Sequence, residues 1–233
     1  MPFVPLLHAE WIKIRTLRSL LGALAAVLVV TVAFSAVTAA RADRSDPLYS
    51  VFFGVSLGQV AAVVFGALAV SGEYGGGALR LTLAAVPDRT RWFAAKAVAV
   101  ALPVLAVGLL TGLATVAVGG ATAGLTRAEG LRGVVGCALY LTLMALLAAG
   151  LAAVLRSGVG TLGLLIPFLL IVSFVVGDLA SGAVGYLPDR AGQLALHSAP
   201  GGPLGPWTGL AVTALWAGAA LGAGAWCVRR RDA

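Results

Sequence analysis

Residues 19–40 read SLLGALAAVLVVTVAFSAVTAA and contain no charged side chain. As an α-helix, these 22 residues would rise about 33 Å. The hydrocarbon core of a bilayer is about 30 Å thick, so the segment predicts a membrane-spanning helix. Because it is longer than the apolar region of a signal peptide, we expect it to stay in the protein as an anchor.

Five further charge-free segments of similar length follow along the chain. Hydrophobic residues make up 60% of the sequence and charged residues 11%, and the mean hydropathy is +1.01. A soluble domain is about half apolar and a quarter charged, so lipid is the expected solvent. We therefore predict one all-α membrane domain over residues 1–233, with six spans at about 19–40, 51–71, 97–119, 133–155, 157–177 and 206–228.

The distribution of positive charge predicts the orientation. Loops of membrane proteins that face the cytoplasm are enriched in Lys and Arg. With the N-terminus inside, eleven of the sixteen basic residues lie on the inner side and five on the outer side. We expect a bacterial inner-membrane protein with both termini in the cytoplasm. The net charge of +7 lies in these short flanks rather than in one basic patch, so no nucleic-acid partner is expected.

Motifs for nucleotide binding and for a zinc hydrolase are absent from the sequence. It contains no G-x-x-x-x-G-K-[ST] loop and no H-E-x-x-H pair. The two cysteines, Cys137 and Cys227, are predicted near opposite membrane faces and are not expected to pair. We expect no enzyme activity, no cofactor and no metal. The predicted spans lack charged residues, which disfavours ion coupling, so a partner would have to supply energy for transport.

An amphipathic helix is predicted over residues 3–18, before the first span. Leu7, Trp11 and Ile14 recur at i, i+4 and i+7, and the charged residues lie mostly on the other side. A helix of this kind lies along the membrane surface, with Trp11 at the depth of the lipid headgroups. The alternative is a plain basic flank that only fixes the topology.

The segment between the second and third predicted spans reads EYGGGALRLTLAAVPDRTRWFAAK, residues 73–96. Its three glycines interrupt the preceding helix, and residues 78–86 can form a short helix of their own before a proline ends it. Arg80 lies on one side of this helix, and its apolar face carries Leu79, Leu83 and Val86. A short rigid helix here is suited to transmit force from a soluble partner. The alternative is a connector that contains an interfacial helix.

Four segments, in this order, resemble the ABC-2 family of transporter permeases from high-GC bacteria: LLHAEWIKIRTLRS, SGEYGGGALRLTLAAVPDRTRWFAAK, YLPDRAGQLAL and WCVRRRDA. The resemblance covers essentially the whole chain. It implies an amphipathic N-terminal helix, six spans and a short membrane-dipping outer segment before the last span. It also implies a coupling helix, after the second span, that docks on a separate ATP-binding subunit. Two permeases, identical or different, and two ATP-binding subunits form the working unit in the bilayer, usually an exporter.

The resemblance also assigns roles to individual residues. Glu73 matches the acidic residue at the end of the second span, and Arg80 stands where relatives often have a basic or polar residue. The predicted contact with the ATP-binding subunit comprises Glu73, Gly77, Leu79, Arg80, Leu83, Val86, Pro87 and Arg89. A carboxylate at the span boundary needs hydration or a partner, and we expect Glu73 to pair with a basic residue of the N-terminal helix, such as Arg15 or Arg18.

Two other functions remain open. The chain could be an anchor or immunity subunit of the same fold that does not transport, in which case no substrate would stimulate ATP hydrolysis. It could also be an ion-coupled carrier, which would need a proton or sodium gradient and no ATPase.

Overall fold

The computed structural model describes residues 3–39, 46–74, 88–172, 183–199 and 203–230, and these residues are helical and contain no strand. They form nine α-helices: α1 (Phe3–Thr16), α2 (Arg18–Ala39), α3 (Pro47–Phe52), α4 (Val55–Ser71), α5 (Arg89–Gly119), α6 (Arg127–Leu155), α7 (Gly158–Pro167), α8 (Pro188–Gln193) and α9 (Pro206–Arg230). A 3₁₀ turn follows α4 at Gly72–Tyr74, and two more flank α8 at Ala183–Tyr186 and Leu194–Leu196. A π-helical turn, Phe168–Val172, continues α7.

Five helical segments are long and apolar enough to cross a membrane: Arg18–Ala39, Val55–Tyr74, Arg89–Gly119, Arg127–Leu155 and Pro206–Arg230. They confirm an all-α, membrane-embedded protein and correspond to the first four predicted spans and the last one. The predicted fifth span, 157–177, corresponds to a shorter apolar helix, Gly158–Ile171, and its last residues lie outside the described part of the chain. The total of six spans therefore stays a prediction.

Two helices begin earlier than the predicted spans, α5 at Arg89 instead of residue 97 and α6 at Arg127 instead of residue 133. Helix capping explains the difference. The carboxylate of Asp88 accepts hydrogen bonds from two backbone amides in the first turn of α5. Thr126 and Glu129 form a capping box at the start of α6. The charged residues at the starts of α5 and α6 therefore bound the apolar run of each segment without bounding the helix.

Helix α6 lies at the centre of the bundle and packs against α4, α5 and α9. Small residues permit this packing, because a Cβ added to Gly66 of α4 would overlap the carbonyl oxygen of Ala145 in α6. Pairs of glycines four residues apart serve the same purpose within this chain, Gly54 and Gly58 against α2 and Gly108 and Gly112 against α6. A third pair, Gly218 and Gly222 on α9, meets no described atom within 4 Å.

Helix α1 and the last turn of α9 both contact the first turns of α5, so they lie at one end of the bundle, which we name the terminal end. Lys96 of α5 binds Glu10 of α1, and the guanidinium of Arg89 donates to the carbonyl oxygen of Val228 at 3.0 Å. The opposite end, the distal end, contains the turn between α5 and α6 and the residues around α8. Helix α1 and the last described residues of α9 therefore lie on the same side of the bundle.

The first and last of the three exposed tryptophans on α9 are separated by about the thickness of a bilayer. The rings of Trp207 and Trp226 are both more than half exposed. They are 19 residues apart, which corresponds to about 28 Å along a helix axis. This separation is close to the thickness of the hydrocarbon core, about 30 Å, and tryptophan is enriched at both membrane surfaces. The terminal and distal ends thus fall at opposite membrane surfaces.

Candidate functional site: a buried charge ring

Four charged side chains meet at the terminal end and form what we call the charge ring: Glu10, Lys13, Glu73 and Lys96. Glu10 and Lys13 lie three residues apart on α1, so they are neighbours on the surface of that helix. Glu73 lies in the 3₁₀ turn that follows α4, and Lys96 lies two turns into α5. Three separate elements therefore have to pack together before the ring exists.

Each lysine of the ring bridges both carboxylates. Lys13 Nζ donates to Glu73 Oε1 at 2.7 Å and to Glu10 Oε1 at 3.1 Å. Lys96 Nζ donates to Glu73 Oε1 at 2.7 Å and to Glu10 Oε2. Glu73 Oε2 is buried and accepts no hydrogen bond from any described residue. The ring contains two positive and two negative groups and is neutral as a whole.

Three members of the ring are almost fully buried, with exposed fractions of 4% for Glu10, 6% for Glu73 and 3% for Lys96. An unpaired charge at such a position would cost several kcal/mol, on the order of 3–5, and the neutrality of the ring removes that cost. Trp92 adds a cation–π contact, since Lys96 Nζ lies 5.8 Å from its ring centroid. Burial alone would lower the pKa of Lys13, but the hydrogen bond to Glu73 and the charges of both carboxylates raise it above its usual value.

A cavity of about 340 Å³ opens on one side of the charge ring. Its wall combines the ring with apolar side chains of α2, α4 and α5, among them Leu20, Leu68 and Val100. The ring is therefore packed tightly on one side and has free space on the other. Its side chains have room to change partners without unfolding a helix.

Two of the eight predicted contacts with an ATP-binding subunit, Glu73 and Arg89, lie in the described part of the chain. The other six lie outside it: Gly77, Leu79, Arg80, Leu83, Val86 and Pro87. Glu73 precedes residues 75–87 in the chain, and Arg89 follows them. The ring fixes the position of Glu73, and the hydrogen bond from Arg89 to α9 fixes the start of α5.

The prediction that Glu73 pairs with a basic residue of the N-terminal helix is confirmed, but that residue is Lys13 rather than Arg15 or Arg18, and Lys96 is a second partner. The reason is the rotation of α1 about its axis. The buried side of α1 carries Leu6, Glu10 and Ile14, at intervals of four residues. Both arginines are exposed. The predicted apolar stripe of Leu7, Trp11 and Ile14 does not face one environment: Ile14 is buried in the core, while Leu7 and the exposed Trp11 line a groove beside α5.

Glu10 and Lys96 are the two members of the ring that the charge pattern missed. Lys96 stands at the margin of an apolar run and resembles a topology signal, and Glu10 resembles part of a polar helix face. One signal was available, because the chain has only two lysines among its sixteen basic residues, and both belong to the ring. A compact ammonium group with three donors can bridge two carboxylates where a planar guanidinium would need more space.

A second polar cluster, the distal clamp, joins the residue before α3 to the segment after α8. Asp46 Oδ2 lies 2.7 Å from His197 Nδ1, and Asp46 Oδ1 accepts hydrogen bonds from the amides of Tyr49 at 3.0 Å and Ser198 at 2.9 Å. Arg132 of α6 donates to the carbonyl oxygen of His197 at 2.7 Å. Burial raises the pKa of Asp46, but the hydrogen bonds outweigh it and hold the pKa below its usual value.

The segment predicted to dip into the membrane, residues 186–196, forms α8 and its flanking turns, packed against α6 and α9. The side chain of Gln193 accepts a hydrogen bond from Ser56 and donates one to Tyr140, both at 3.2 Å. Tyr140 in turn donates to Gln59 Oε1. This chain of side chains connects the segment to α4 and α6, both of which span the membrane.

No protein-family model, curated protein or solved structure matches this chain. What the site can do therefore follows from its place in the fold: the ring lies where α1, the end of α4 and the start of α5 meet, and Glu73 belongs to the turn that precedes residues 75–87 in the chain.

Proposed function

We propose that this chain is the permease subunit of an ABC transporter of the ABC-2 type, an exporter driven by a separate ATP-binding subunit. The charge ring is the observation that carries the proposal, because it lies at the base of the loop that is predicted to couple to that subunit. The chain has several membrane-spanning helices and no phosphate-binding loop in its sequence, so energy for transport would come from a partner.

The ring is suited to transmit force because it joins rigid helices through short, directional contacts. A bound ATP-binding subunit that displaced the loop 75–87 would act on α4 through Glu73 and on α5 through Arg89. Since Lys13 contacts Glu73 and Glu10 contacts Lys96, α1 would move with both helices. In this proposal the residues that enter a groove on the ATP-binding subunit are Leu79, Leu83 and Val86.

The proposed assembly contains two permeases, identical or different, and two ATP-binding subunits in the inner membrane of a bacterium. The loop can reach an ATP-binding subunit only if the terminal end faces the cytoplasm. A reporter fused after Ala233 should therefore behave as cytoplasmic, and one inserted near residue 201 as external. The opposite result would place the loop outside the cell and would rule the proposal out.

Co-purification from the native host, followed by one substitution in the loop, tests the proposal directly. We expect the tagged chain to bring down a soluble ATPase, while the pure chain alone hydrolyses no ATP. Leu83→Asp would place an unpaired charge in the docking contact, and a loss of ~3 kcal/mol corresponds to a factor of about 100 or more in affinity.

Ala84→Asp is the matched control, because helical spacing places Ala84 on another side of the same short helix. The control should bind the ATPase like the wild type and should transport like it. If Leu83→Asp also keeps full binding and full transport, the loop is only a connector and the coupling role is excluded.

The ring introduces titratable groups that an ion-coupled carrier could use, so this second candidate needs its own test. Carriers place their coupling ions near the middle of the membrane. Glu73 instead stands at the end of the segment Val55–Tyr74, at a membrane surface. Transport that follows a proton or sodium gradient without an ATPase would favour the carrier. An anchor or immunity subunit would bind the ATPase, but no substrate would stimulate its ATP hydrolysis.

A further inference from the structure

A groove of about 580 Å³ runs between α1 and α5, on a different side of α1 from the charge ring. It is lined by Leu7, His8 and Trp11 on α1 and by Leu102 and Pro103 on α5, and its surface is almost entirely apolar. Trp11 is 42% exposed and Leu102 is 51% exposed, so the described part of the chain leaves the groove uncovered. Because α5 is one of the spanning helices, the groove opens toward lipid.

One arginine stands beside this groove. Glu10 is buried in the charge ring and is bound there by two lysines, so its carboxylate is already paired. Arg15 is exposed. The guanidinium carbon of Arg15 lies 5.8 Å from the centroid of the Trp11 ring, which itself lines the groove. The site therefore combines an apolar floor with a cationic rim.

We propose that the groove binds an anionic phospholipid of the surrounding bilayer, with an acyl chain along the groove and the headgroup phosphate on Arg15. A planar guanidinium can bind two phosphate oxygens through parallel hydrogen bonds. Trp11 stands between the two parts of the lipid, at the depth where tryptophan is enriched in membrane proteins. The bound lipid holds α1 against α5 and thereby steadies the charge ring. This site requires only that α5 spans a membrane, so it does not depend on an ATP-binding partner.

Fluorescence quenching of Trp11 tests the site in the full-length chain. The protein is placed in nanodiscs whose phospholipids carry bromine on the acyl chain, which quenches a tryptophan that touches it. Phenylalanine replaces the three exposed tryptophans of α9, Trp207, Trp216 and Trp226. Trp92 is kept because it is fully buried, and its signal is measured separately in the same variant with Trp11→Phe.

Brominated phosphatidylglycerol is expected to quench Trp11 more strongly than brominated phosphatidylcholine at the same mole fraction. One arginine near an anionic membrane surface corresponds to about a fivefold preference in binding. Arg15→Gln should abolish the preference. Arg91→Gln should keep it, since Arg91 pairs with Asp88, whereas Arg15 contacts the Trp11 ring that lines the groove. Equal quenching by the two lipids, or a preference that survives Arg15→Gln, overturns the proposal, and so does the absence of quenching by both.

Discussion

Replacing Lys96 with methionine would unbalance the charge ring with little change in shape. Methionine is a flexible, unbranched side chain that fills the space of the lysine stem. The substitution leaves Glu10 and Glu73 with Lys13 as their only partner in the ring, which then carries one excess negative charge. Lys96 is only 3% exposed, so water cannot replace the missing ammonium group without local rearrangement.

The size of the effect follows from the geometry of the ring. Lys96 Nζ and Glu73 Oε1 are 2.7 Å apart, and opposite charges at that distance attract by about 6 kcal/mol at an effective dielectric constant of about 20. The variant loses this attraction and the one to Glu10, but it no longer has to desolvate an ammonium group, which costs several kcal/mol. Removing one partner of a buried ion pair destabilises a protein by about 3–5 kcal/mol, and we expect the free energy of unfolding to fall by that amount.

Unfolding of the purified protein in detergent micelles, by heat or by sodium dodecyl sulfate, measures this loss. Adding Glu73→Gln to the Lys96→Met variant removes the excess charge, and about 2 kcal/mol of the loss should return. Arg91→Met is the matched control, because its ion pair with Asp88 is exposed and such pairs contribute less than about 1 kcal/mol. If Lys96→Met unfolds like Arg91→Met and Glu73→Gln brings no recovery, the ring acts like a surface ion pair and the reasoning is refuted.

Three further predictions concern other parts of the molecule. Glu73→Ala should weaken transport but leave ATPase binding largely intact, because it breaks the ring without changing the apolar face of Leu79, Leu83 and Val86 that is predicted to enter the groove; a pull-down that shows lost binding would contradict this. Asp46→Asn should lower the thermal midpoint at neutral pH. Because the folded pKa of Asp46 is lowered, its contribution to stability is present above the unfolded value of about 3.9 and is lost as the pH falls through the folded value, so the midpoints of variant and wild type should converge below about pH 4. A difference that stays constant over that range would count against the distal clamp. Gly66→Ala should destabilise by about 1–3 kcal/mol, because its Cβ would overlap a carbonyl oxygen of α6, whereas Gly22→Ala, with no described atom within 4 Å, should be neutral or slightly stabilising. Unfolding the two glycine variants side by side measures the difference.

Local sequence signals predicted individual elements well where one property of a short segment is enough. The helix of residues 3–16 and the apolar spans follow from periodicity and length. Helices α5 and α6 begin before the predicted spans, because capping by Asp88 and Thr126 extends each helix past the charges that bound its apolar run. The pairing of Glu73 with a basic residue of the N-terminal helix was predicted, but Lys13 was not named as that residue, because a helical periodicity does not state which face will meet the neighbouring helix.

Apolar composition alone was sufficient to predict that the protein lies in a membrane and that its spans are helical. In lipid, an apolar run of about 20 residues must satisfy its backbone hydrogen bonds within the segment, as a helix does. That requirement acts on each segment separately, so it can be recognised without knowing any contact. The charge ring is different, because Glu10 and Lys96 are 86 residues apart and each resembles an ordinary flank of an apolar segment. The free energy that a charged side chain contributes depends on how far burial desolvates it and on which charged or polar groups lie next to it. Both were decided when α1, α4 and α5 packed together and enclosed two carboxylates and two lysines in one neutral ring.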